Sequence, residues 1–346
     1  MPSTADATPA LKMSGLRMIY NPGIFRRKKV ALEGLDLEVP AGSTYGFLGQ
    51  NGAGKTTTIK ILVALQYATS GRAWIRGTDI RDNAARSQVG FMPENPYFYE
   101  YLTAAETLDF YAQLSGVPKN ARRKRTDELL ELFGLTHAKD VPTREFSKGM
   151  RQRVGLAQAI LHDPPVVILD EPMSGLDPLG RRDVRNVILS LRDKGTTVFF
   201  SSHVLGDVAD ICDRVCVLHQ GQKISEGPIT SLLSGRVLEV DLSATGIPAA
   251  GVPGVPEIAR RAWHDGVLYH VLVDNEELAQ KAKALIEGAG GTLRRFVPHV
   301  ESLEEYFVRV TGAAGAKRVE GEGAIAAPSS TKLPAQTAES EKGGAA

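Results

Sequence analysis

The segment from residue 49 to residue 56 constrains this chain more than any other. It matches the phosphate-loop pattern G-x-x-x-x-G-K-[ST] at every fixed position. Glycines let backbone N–H groups turn towards phosphate oxygens, a lysine adds a reachable positive charge, and a threonine hydroxyl can ligate Mg²⁺. The sequence therefore predicts a site for a nucleoside triphosphate with Mg²⁺. The candidate binding residues are Gly49, Asn51, Gly52, Ala53, Gly54, Lys55, Thr56 and Thr57.

The segments on either side of this loop agree with that prediction. A short apolar run at residues 44–48 predicts a strand, and residues 57–65 predict a helix with one buried side. A glycine-rich turn that arises by chance rarely has both neighbours. The expected context is the strand, loop and helix of an α/β nucleotide-binding fold.

A second predicted strand ends in two carboxylates. Residues 165–169 are continuously apolar, as in a strand buried on both faces of a parallel sheet, and Asp170 and Glu171 follow. One interpretation is a solvated strand end. The other places Asp170 in the Mg²⁺ shell and lets Glu171 polarise a water for attack on the γ-phosphate. The neighbouring phosphate loop favours the second interpretation.

Ser147 precedes a helix-like segment at residues 154–161, and a serine in that position is commonly a helix N-cap. The surrounding run Phe-Ser-Lys-Gly-Met-Arg-Gln-Arg also resembles the signature segment of the ATP-binding-cassette (ABC) family. Further motifs of that family follow in order: the Walker B strand, a D-loop at residues 174–177, and His203 as the switch histidine after a predicted strand at 196–201. Five ordered motifs make this resemblance far more specific than the phosphate loop alone.

The resemblance implies a P-loop cassette, with a RecA-like mixed sheet, an antiparallel β subdomain and a helical subdomain that carries the signature. It also implies a composite site, in which Ser147 and Gly149 contact the γ-phosphate of a nucleotide held by a second cassette. Asp177 belongs to the adjoining D-loop. His203 is implied to contact the γ-phosphate and to orient the attacking water beside Glu171.

The adenine ring of the nucleotide needs a stacking surface. ABC cassettes supply an aromatic residue on the first strands, which makes Tyr20 the first candidate and Phe25 the second.

Two departures from the family pattern are informative. Glu94 stands where cassettes usually have the Q-loop glutamine; it retains an oxygen for Mg²⁺ or its bound water but brings negative charge towards the phosphates. Lys148 and Met150 replace the usual glycine and glutamine of the signature. Such S-K-G-M forms are frequent in ABC-2 type exporters, so the resemblance extends to that subfamily.

Composition excludes several other classes. The chain has 346 residues, 42% of them hydrophobic, and a net charge of +1, which argues against nucleic-acid binding by bulk electrostatics. It contains no run of about 18 apolar residues and no N-terminal hydrophobic signal core, which predicts a cytoplasmic chain that does not itself cross a membrane.

Cys212 and Cys216 are spaced for neither a redox pair nor a zinc site and are expected to be buried. The basic runs at 26–29 and 122–125 are expected to face water.

Four regions are predicted along the chain. Residues 1–10 form a flexible N-terminus, 11–232 the cassette with its helical subdomain at about 97–165, 235–312 a small α+β unit, and 313–346 a disordered tail without aromatic residues. The α+β unit is expected to have strands near 237–242, 267–273 and 292–296, with helices at 276–287 and 302–310. Its last helix resembles the C-terminal extension of ABC-2 type ATPases, for which packing or dimer support is the expected role.

These observations predict the ATP-hydrolysing subunit of an ABC-2 type exporter. It would act as a homodimer, or as a heterodimer with a second cassette, on the cytoplasmic face of the membrane beneath a separate transmembrane permease. The alternative is a soluble ABC protein in translation or DNA maintenance, although such proteins usually have two cassettes, coiled coils or zinc modules. A non-hydrolysing regulatory cassette is a third option, against which the intact catalytic motifs argue.

Overall fold

The computed structural model describes residues 8–21, 28–233 and 235–321, with side chains as far as residue 312. The strands are β1 (Leu11–Tyr20), β2 (Lys29–Val39), β3 (Thr44–Leu48), β4 (Ser70–Ile75), β5 (Thr78–Asp79), β6 (Val89–Met92), β7 (Val166–Asp170), β8 (Thr197–Ser202), β9 (Arg214–His219), β10 (Gln222–Pro228), β11 (Val237–Thr245), β12 (Arg261–His264), β13 (Tyr269–Val273) and β14 (Thr292–Val300). The helices are α1 (Lys55–Leu62), α2 (Asn83–Arg86), α3 (Ala104–Leu114), α4 (Lys119–Leu132), α5 (Lys148–Ala159), α6 (Pro178–Asp193), α7 (Leu205–Ala209), α8 (Ile229–Leu232), α9 (Val255–Ile258), α10 (Glu276–Gly288) and α11 (Leu303–Gly321).

The central sheet has the strand order β10-β9-β3-β8-β7-β6, with parallel pairing throughout except between β9 and β10. Strands β3, β7 and β8 are buried along their whole length. Their side chains alternate between two apolar cores, so that Phe199 enters one and Phe200 the other. Because parallel strands end at a common edge, the segments that follow β3, β7 and β8 meet there.

A separate antiparallel sheet, with the order β2-β1-β4-β5, covers one side of the cassette. Its inward residues, such as Leu11 and Leu35, share a core with Ile59 of α1 and with Phe47 of the central sheet. Together the two sheets confirm the predicted fold class, a mixed P-loop core with an antiparallel β subdomain. The packing also holds the start of α1 against the central sheet.

The other side of the central sheet carries the helical region. Helices α3, α4 and α5 share a core with β7 and α6, to which Leu108, Leu129 and Leu156 contribute. Helix α6 has a buried face, since Val184 and Ile188 lie in that core. Helix α5, which begins directly after Ser147, is therefore packed on the central sheet.

The prediction that the basic run 122–125 faces water is wrong for Arg125. Its guanidinium donates to the carbonyl oxygens of Leu161 at 3.1 Å and Ile160 at 2.9 Å, and it pairs with Asp163. These carbonyls follow the end of α5, where orphan acceptors and the helix dipole favour a cation. The basic run by itself does not indicate this contact, because the carbonyl groups that accept from Arg125 lie 35 and 36 residues further along the chain.

Replacing Arg125 by alanine should lower the free energy of unfolding by about 1–3 kcal/mol, since charge-assisted bonds to buried carbonyls would be lost. Lys124→Ala is the matched control because that side chain is 83% exposed. Urea denaturation of both variants measures the difference. Equal stabilities for the two variants would contradict the structural role of Arg125.

The C-terminal unit is built on a third sheet, with the order β12-β13-β11-β14. Helix α10 covers one face, where Val240, Val271 and Ala282 form a separate core. The predicted strands and helices of this unit are present, but β12 was missed because its four residues have no apolar periodicity and are ordered by pairing with β13.

Helix α11 connects this unit to the cassette. Leu303 and Phe307 lie in the core shared with β7 and α6, and the Tyr306 hydroxyl is 2.5 Å from the Ser225 hydroxyl on β10. The helix continues to Gly321, so the sequence predictions that it ends at residue 310 and that a disordered tail begins at residue 313 are wrong for residues 311–321. The C-terminal unit is thus anchored on the cassette through apolar packing.

Some sequence predictions fall outside the described residues, namely those for residues 1–7, for Phe25 with the first part of the basic run 26–29, and for residues 322–346. Cys216 is fully buried as predicted, whereas Cys212 is only partly buried and packs against the core; burial raises the pKa of both thiols. Within the described ranges, no helix combines the length and the apolar character needed to cross a bilayer.

Candidate nucleotide site

The phosphate loop lies between β3 and α1, as predicted. Gly54 has a φ of +112° and forms the N-terminal boundary of α1, and a Cβ on it would fall 2.6 Å from the Ala31 carbonyl oxygen. A Cβ on Gly49 would fall 2.5 Å from the Leu218 carbonyl oxygen. Both positions therefore require glycine, and the loop holds the first N–H groups of α1 at the edge of the central sheet.

Lys55 is buried at the start of α1. Its ammonium donates to the Gly49 carbonyl oxygen at 2.6 Å and lies 3.3 Å from Glu171 Oε1. Both side chains of this ion pair are less than 10% exposed. Lys55 thus joins the phosphate loop to the carboxylate that follows β7.

The Glu171 carboxylate contacts Lys55 of α1 through one oxygen and His203, which follows β8, through the other. Its Oε2 is 2.7 Å from Nδ1 of His203 and also accepts from the His203 backbone N–H at 3.3 Å. Its φ of +49° is unusual for a residue with a side chain and costs about 1–2 kcal/mol. Such strain is characteristic of functional sites, where surrounding contacts maintain it.

Asp170 lies one residue earlier and is 3% exposed. Its Oδ1 accepts from the Ser201 hydroxyl at 2.6 Å. The same hydroxyl accepts from the Glu171 N–H at 2.9 Å. Sequence analysis missed Ser201; the available signal was a hydroxyl residue in an otherwise apolar strand beside the Walker B strand.

A single cavity brings most of the predicted residues together. Tyr20, Glu94, Glu171 and His203 line it with the phosphate loop, which contributes Asn51, Gly52, Gly54, Lys55, Thr56 and Thr57. Ala53 is buried beneath, and its carbonyl accepts from Gly221 N–H at 2.9 Å. Side chains from five separate segments of the chain therefore converge on one pocket with cationic, acidic and hydroxyl groups.

Tyr20 lies at the rim of this cavity. Its hydroxyl donates to Gln66 Oε1 at 2.9 Å and lies 3.3 Å from the Thr57 hydroxyl. These contacts fix the ring beside the first turn of α1.

Ser147, Gly149 and Asp177 lie elsewhere: in the part of the chain that the structure describes, none of them lines this cavity. Ser147 is exposed and is the N-cap of α5, its Oγ accepting from Met150 N–H at 3.2 Å. Asp177 is the N-cap of α6. A Cβ on Gly149 would touch Leu176 at 3.6 Å, so the signature and the D-loop form one continuous surface.

Gln152 is a second residue that sequence analysis missed. It is 1% exposed, and its Nε2 donates to the Pro172 carbonyl oxygen at 3.0 Å. Pro172 follows Glu171 directly. Gln152 thus ties the signature helix α5 to the backbone next to the Walker B carboxylates.

The donor set at this site fits Mg²⁺ that binds with a nucleotide. Within the described ranges no three His, Cys, Asp or Glu side chains cluster as a metal cage. Mg²⁺ is usually held by one or two protein oxygens and completed by phosphates and waters. Thr56 lines the cavity and Asp170 is buried one residue before Glu171, so their oxygens would be ligands of this kind, and the exposed Glu94 lines the same cavity.

Comparisons with known proteins agree with this geometry. A protein-family model described as ABC transporter matches residues 32–174. The bacitracin transport ATP-binding protein BcrA of Enterococcus faecalis is 34% identical over 286 residues, which cover 81% of this chain and 91% of BcrA. The chain belongs to the ATP-binding proteins of ABC transporters. The cassette is also similar to a solved structure of an ATP-binding subunit of an ABC transporter, with a TM-score of 0.60 and 31% identity, covering 65% of this chain and 92% of that one.

A further relative of the cassette is the Nod factor export ATP-binding protein I of Ralstonia nicotianae. It is 30% identical over 310 residues, which cover 88% of this chain and 95% of the relative. This alignment of 310 residues is longer than the segment 1–232 that contains the cassette. The similarity therefore includes part of the C-terminal unit as well as the cassette.

Proposed function

We propose that this ABC protein hydrolyses ATP with Mg²⁺ and that hydrolysis drives an ABC-2 type exporter. The convergence of Lys55, Glu171 and His203 in one cavity beside the phosphate loop carries the proposal. A cation for the phosphates, a carboxylate base and a donor beside it are the groups that phosphoryl transfer to water requires. A merely structural loop would not need them together.

Each residue has a definite task in this proposal. Lys55 and the N–H groups at the start of α1 bind the triphosphate, and Tyr20 stacks on the adenine ring. Glu171 takes a proton from the attacking water, and His203 orients that water and contacts the γ-phosphate. Thr56 and Asp170, with Glu94 nearby, would hold Mg²⁺, which would neutralise phosphate charge when bound.

The separation of the signature from the nucleotide cavity supports a head-to-tail dimer. Ser147 and Gly149 lie at the start of α5, whose first N–H groups attract anions. Neither residue belongs to the described residues that line the nucleotide cavity. The nucleotide they would contact is therefore one held by a second cassette. Exposure of Ser147 and Asp177 leaves both available for that partner.

The export role is supported by two relatives whose names describe bacitracin transport and Nod factor export. The proposed partner is a transmembrane permease encoded separately, with this chain on its cytoplasmic face as a homodimer or a heterodimer.

Purification of the full chain alone and together with the membrane protein encoded next to its gene tests the proposal. We expect Mg²⁺-dependent ATP hydrolysis in both samples and a stable complex with the membrane protein. A chain that hydrolyses ATP but binds ribosomes or DNA instead of that membrane protein would contradict the export role.

Replacing Glu94 by glutamine should relax the Mg²⁺ requirement for ATP binding. At an effective dielectric near 20, two like charges 6 Å apart repel by roughly 3 kcal/mol, and Mg²⁺ offsets this repulsion in the wild type. ATP affinity is titrated against Mg²⁺ for wild type, Glu94→Gln and the control Glu100→Gln, an exposed carboxylate that does not line the described cavity. Superimposable curves for all three proteins would mean that Glu94 does not act on the phosphates.

A further inference from the structure

One buried hydroxyl bridges the two consecutive carboxyl-bearing residues at the end of β7. Ser201 lies on β8 directly opposite Asp170 in the parallel register and is fully buried. Its Oγ donates to Asp170 Oδ1 at 2.6 Å and accepts from the Glu171 backbone N–H at 2.9 Å. A single side chain on the neighbouring strand thus contacts both residues.

The direction of these two bonds follows from the groups involved. An ionised carboxylate only accepts and a backbone N–H only donates, whereas a hydroxyl has one proton and two lone pairs. The Ser201 proton therefore goes to Asp170, and a lone pair receives the Glu171 N–H. Both bonds form together only when the carboxylate of Asp170 and the backbone of Glu171 hold their present positions.

The contact with Glu171 acts at a strained position. Glu171 has a φ of +49°, and its N–H is directed into β8 by the bond to Ser201. Two residues further along the chain, His203 contacts the carboxylate of the same residue at 2.7 Å. Ser201 of β8 and His203, which follows this strand, therefore hold Glu171 at two points, through the backbone and through the side chain.

The residue type at position 201 agrees with this role. The preceding positions of β8 are Val198, Phe199 and Phe200, all buried and apolar. A buried hydroxyl is unfavourable unless it is hydrogen-bonded, and β-branched apolar residues usually fill such strands. The two bonds to the Walker B residues account for a serine in this place.

We propose that Ser201 is a positioning residue for ATP hydrolysis. It orients the Asp170 carboxylate for the metal shell and fixes the Glu171 backbone, so that the Glu171 carboxylate stays beside Lys55 and His203. This inference rests on the proposed function, in which Asp170 and Glu171 act on the metal and on the attacking water. Ser201 acts only through these two residues.

The test compares Ser201→Ala with Ser201→Thr in the full chain. Loss of a bond to a metal-ligating carboxylate typically costs 10–100-fold, so we expect kcat to fall by roughly 10- to 100-fold in the alanine variant. The KM for ATP should change by less than about threefold, since the triphosphate contacts remain. Threonine retains the hydroxyl and should restore most of the rate.

Thr197→Val is the matched control. Thr197 is a buried residue at the other end of β8, and its hydroxyl accepts from Gly42 N–H at 2.9 Å. The control removes an equivalent bond from the same strand, so a general loss of stability affects both variants. Only Ser201→Ala should lower kcat.

A second readout does not depend on activity. Hydrogen exchange at the Glu171 amide, measured without nucleotide, should accelerate by roughly tenfold or more in Ser201→Ala, because the acceptor of that N–H is lost. Ser201→Thr and Thr197→Val should leave it unchanged. A purely structural role for Ser201 would not single out this amide.

The outcomes distinguish a failure of the Ser201 inference from a failure of the proposed function. Wild-type kcat and unchanged exchange in Ser201→Ala would overturn the role of Ser201 while leaving Glu171 intact as the base. Full activity in Glu171→Gln would instead overturn the proposed function itself. If the alanine variant does not fold, Ser201→Cys replaces it, and a wild-type kcat with that weak donor would overturn the inference.

Discussion

Replacing Glu171 by glutamine should lower steady-state ATP hydrolysis by on the order of a hundredfold or more while leaving ATP affinity nearly unchanged. Glutamine has almost the shape of glutamate but cannot accept a proton from the attacking water. The phosphate contacts of Lys55 and of the start of α1 remain. The loss should therefore appear in kcat and not in the affinity for ATP.

The same variant should accumulate as an ATP-bound dimer, because hydrolysis is the step that would release the two cassettes. Gel filtration with ATP and Mg²⁺, together with a phosphate-release assay, measures both effects. Glu226→Gln is the control, since Glu226 bonds the Tyr45 hydroxyl on the same central sheet. A monomer with normal turnover would exclude Glu171 as the base.

Lys55→Ala and Ser147→Ala should impair the protein in different ways. Lys55→Ala should weaken ATP binding by roughly 10- to 150-fold, because a buried charge-assisted contact to the phosphates is worth about 1.5–3 kcal/mol. Ser147→Ala should leave ATP binding to the isolated chain nearly intact and still suppress hydrolysis. The reason is that Ser147 is exposed at the start of α5, away from the cavity that contains Lys55.

Mixing the two variants tests the composite site directly. A heterodimer combines the intact Lys55 of one chain with the intact Ser147 of the other and so regains one competent site. We expect hydrolysis to recover on mixing, whereas each variant alone remains inactive. No recovery in a verified heterodimer would contradict the head-to-tail arrangement.

The motifs of the nucleotide site were predictable because they occupy short contiguous segments. The phosphate loop requires glycine wherever the backbone turns or approaches a neighbour, as at Gly49 and Gly54, and this requirement is visible in the sequence. Strand β3 was predicted with its observed bounds, since the apolar run at residues 44–48 coincides with its ends. The element order and the cassette fold followed from these motifs.

Contacts between distant segments were not predictable. The basic run predicts a solvated Arg125, but its guanidinium binds carbonyls beyond α5. The apolar pattern predicts only a strand end at Ser201, but its hydroxyl bridges Asp170 and Glu171. In both cases partners 30 or more residues away decide what the side chain does. No local pattern encodes such a pairing.

The sequence by itself determined which chemical groups this protein has for ATP and in which order they occur, because glycine, lysine and carboxylate positions follow local rules. The family resemblance implies that Glu171 and His203 act together, but only the tertiary structure shows the contacts that join Lys55, Glu171 and His203 in one cavity, with Ser147 and Asp177 outside it. The physical reason is the parallel sheet, whose strand ends bring residues from separate segments to a common edge. The register between β7 and β8 then places Ser201 opposite Asp170.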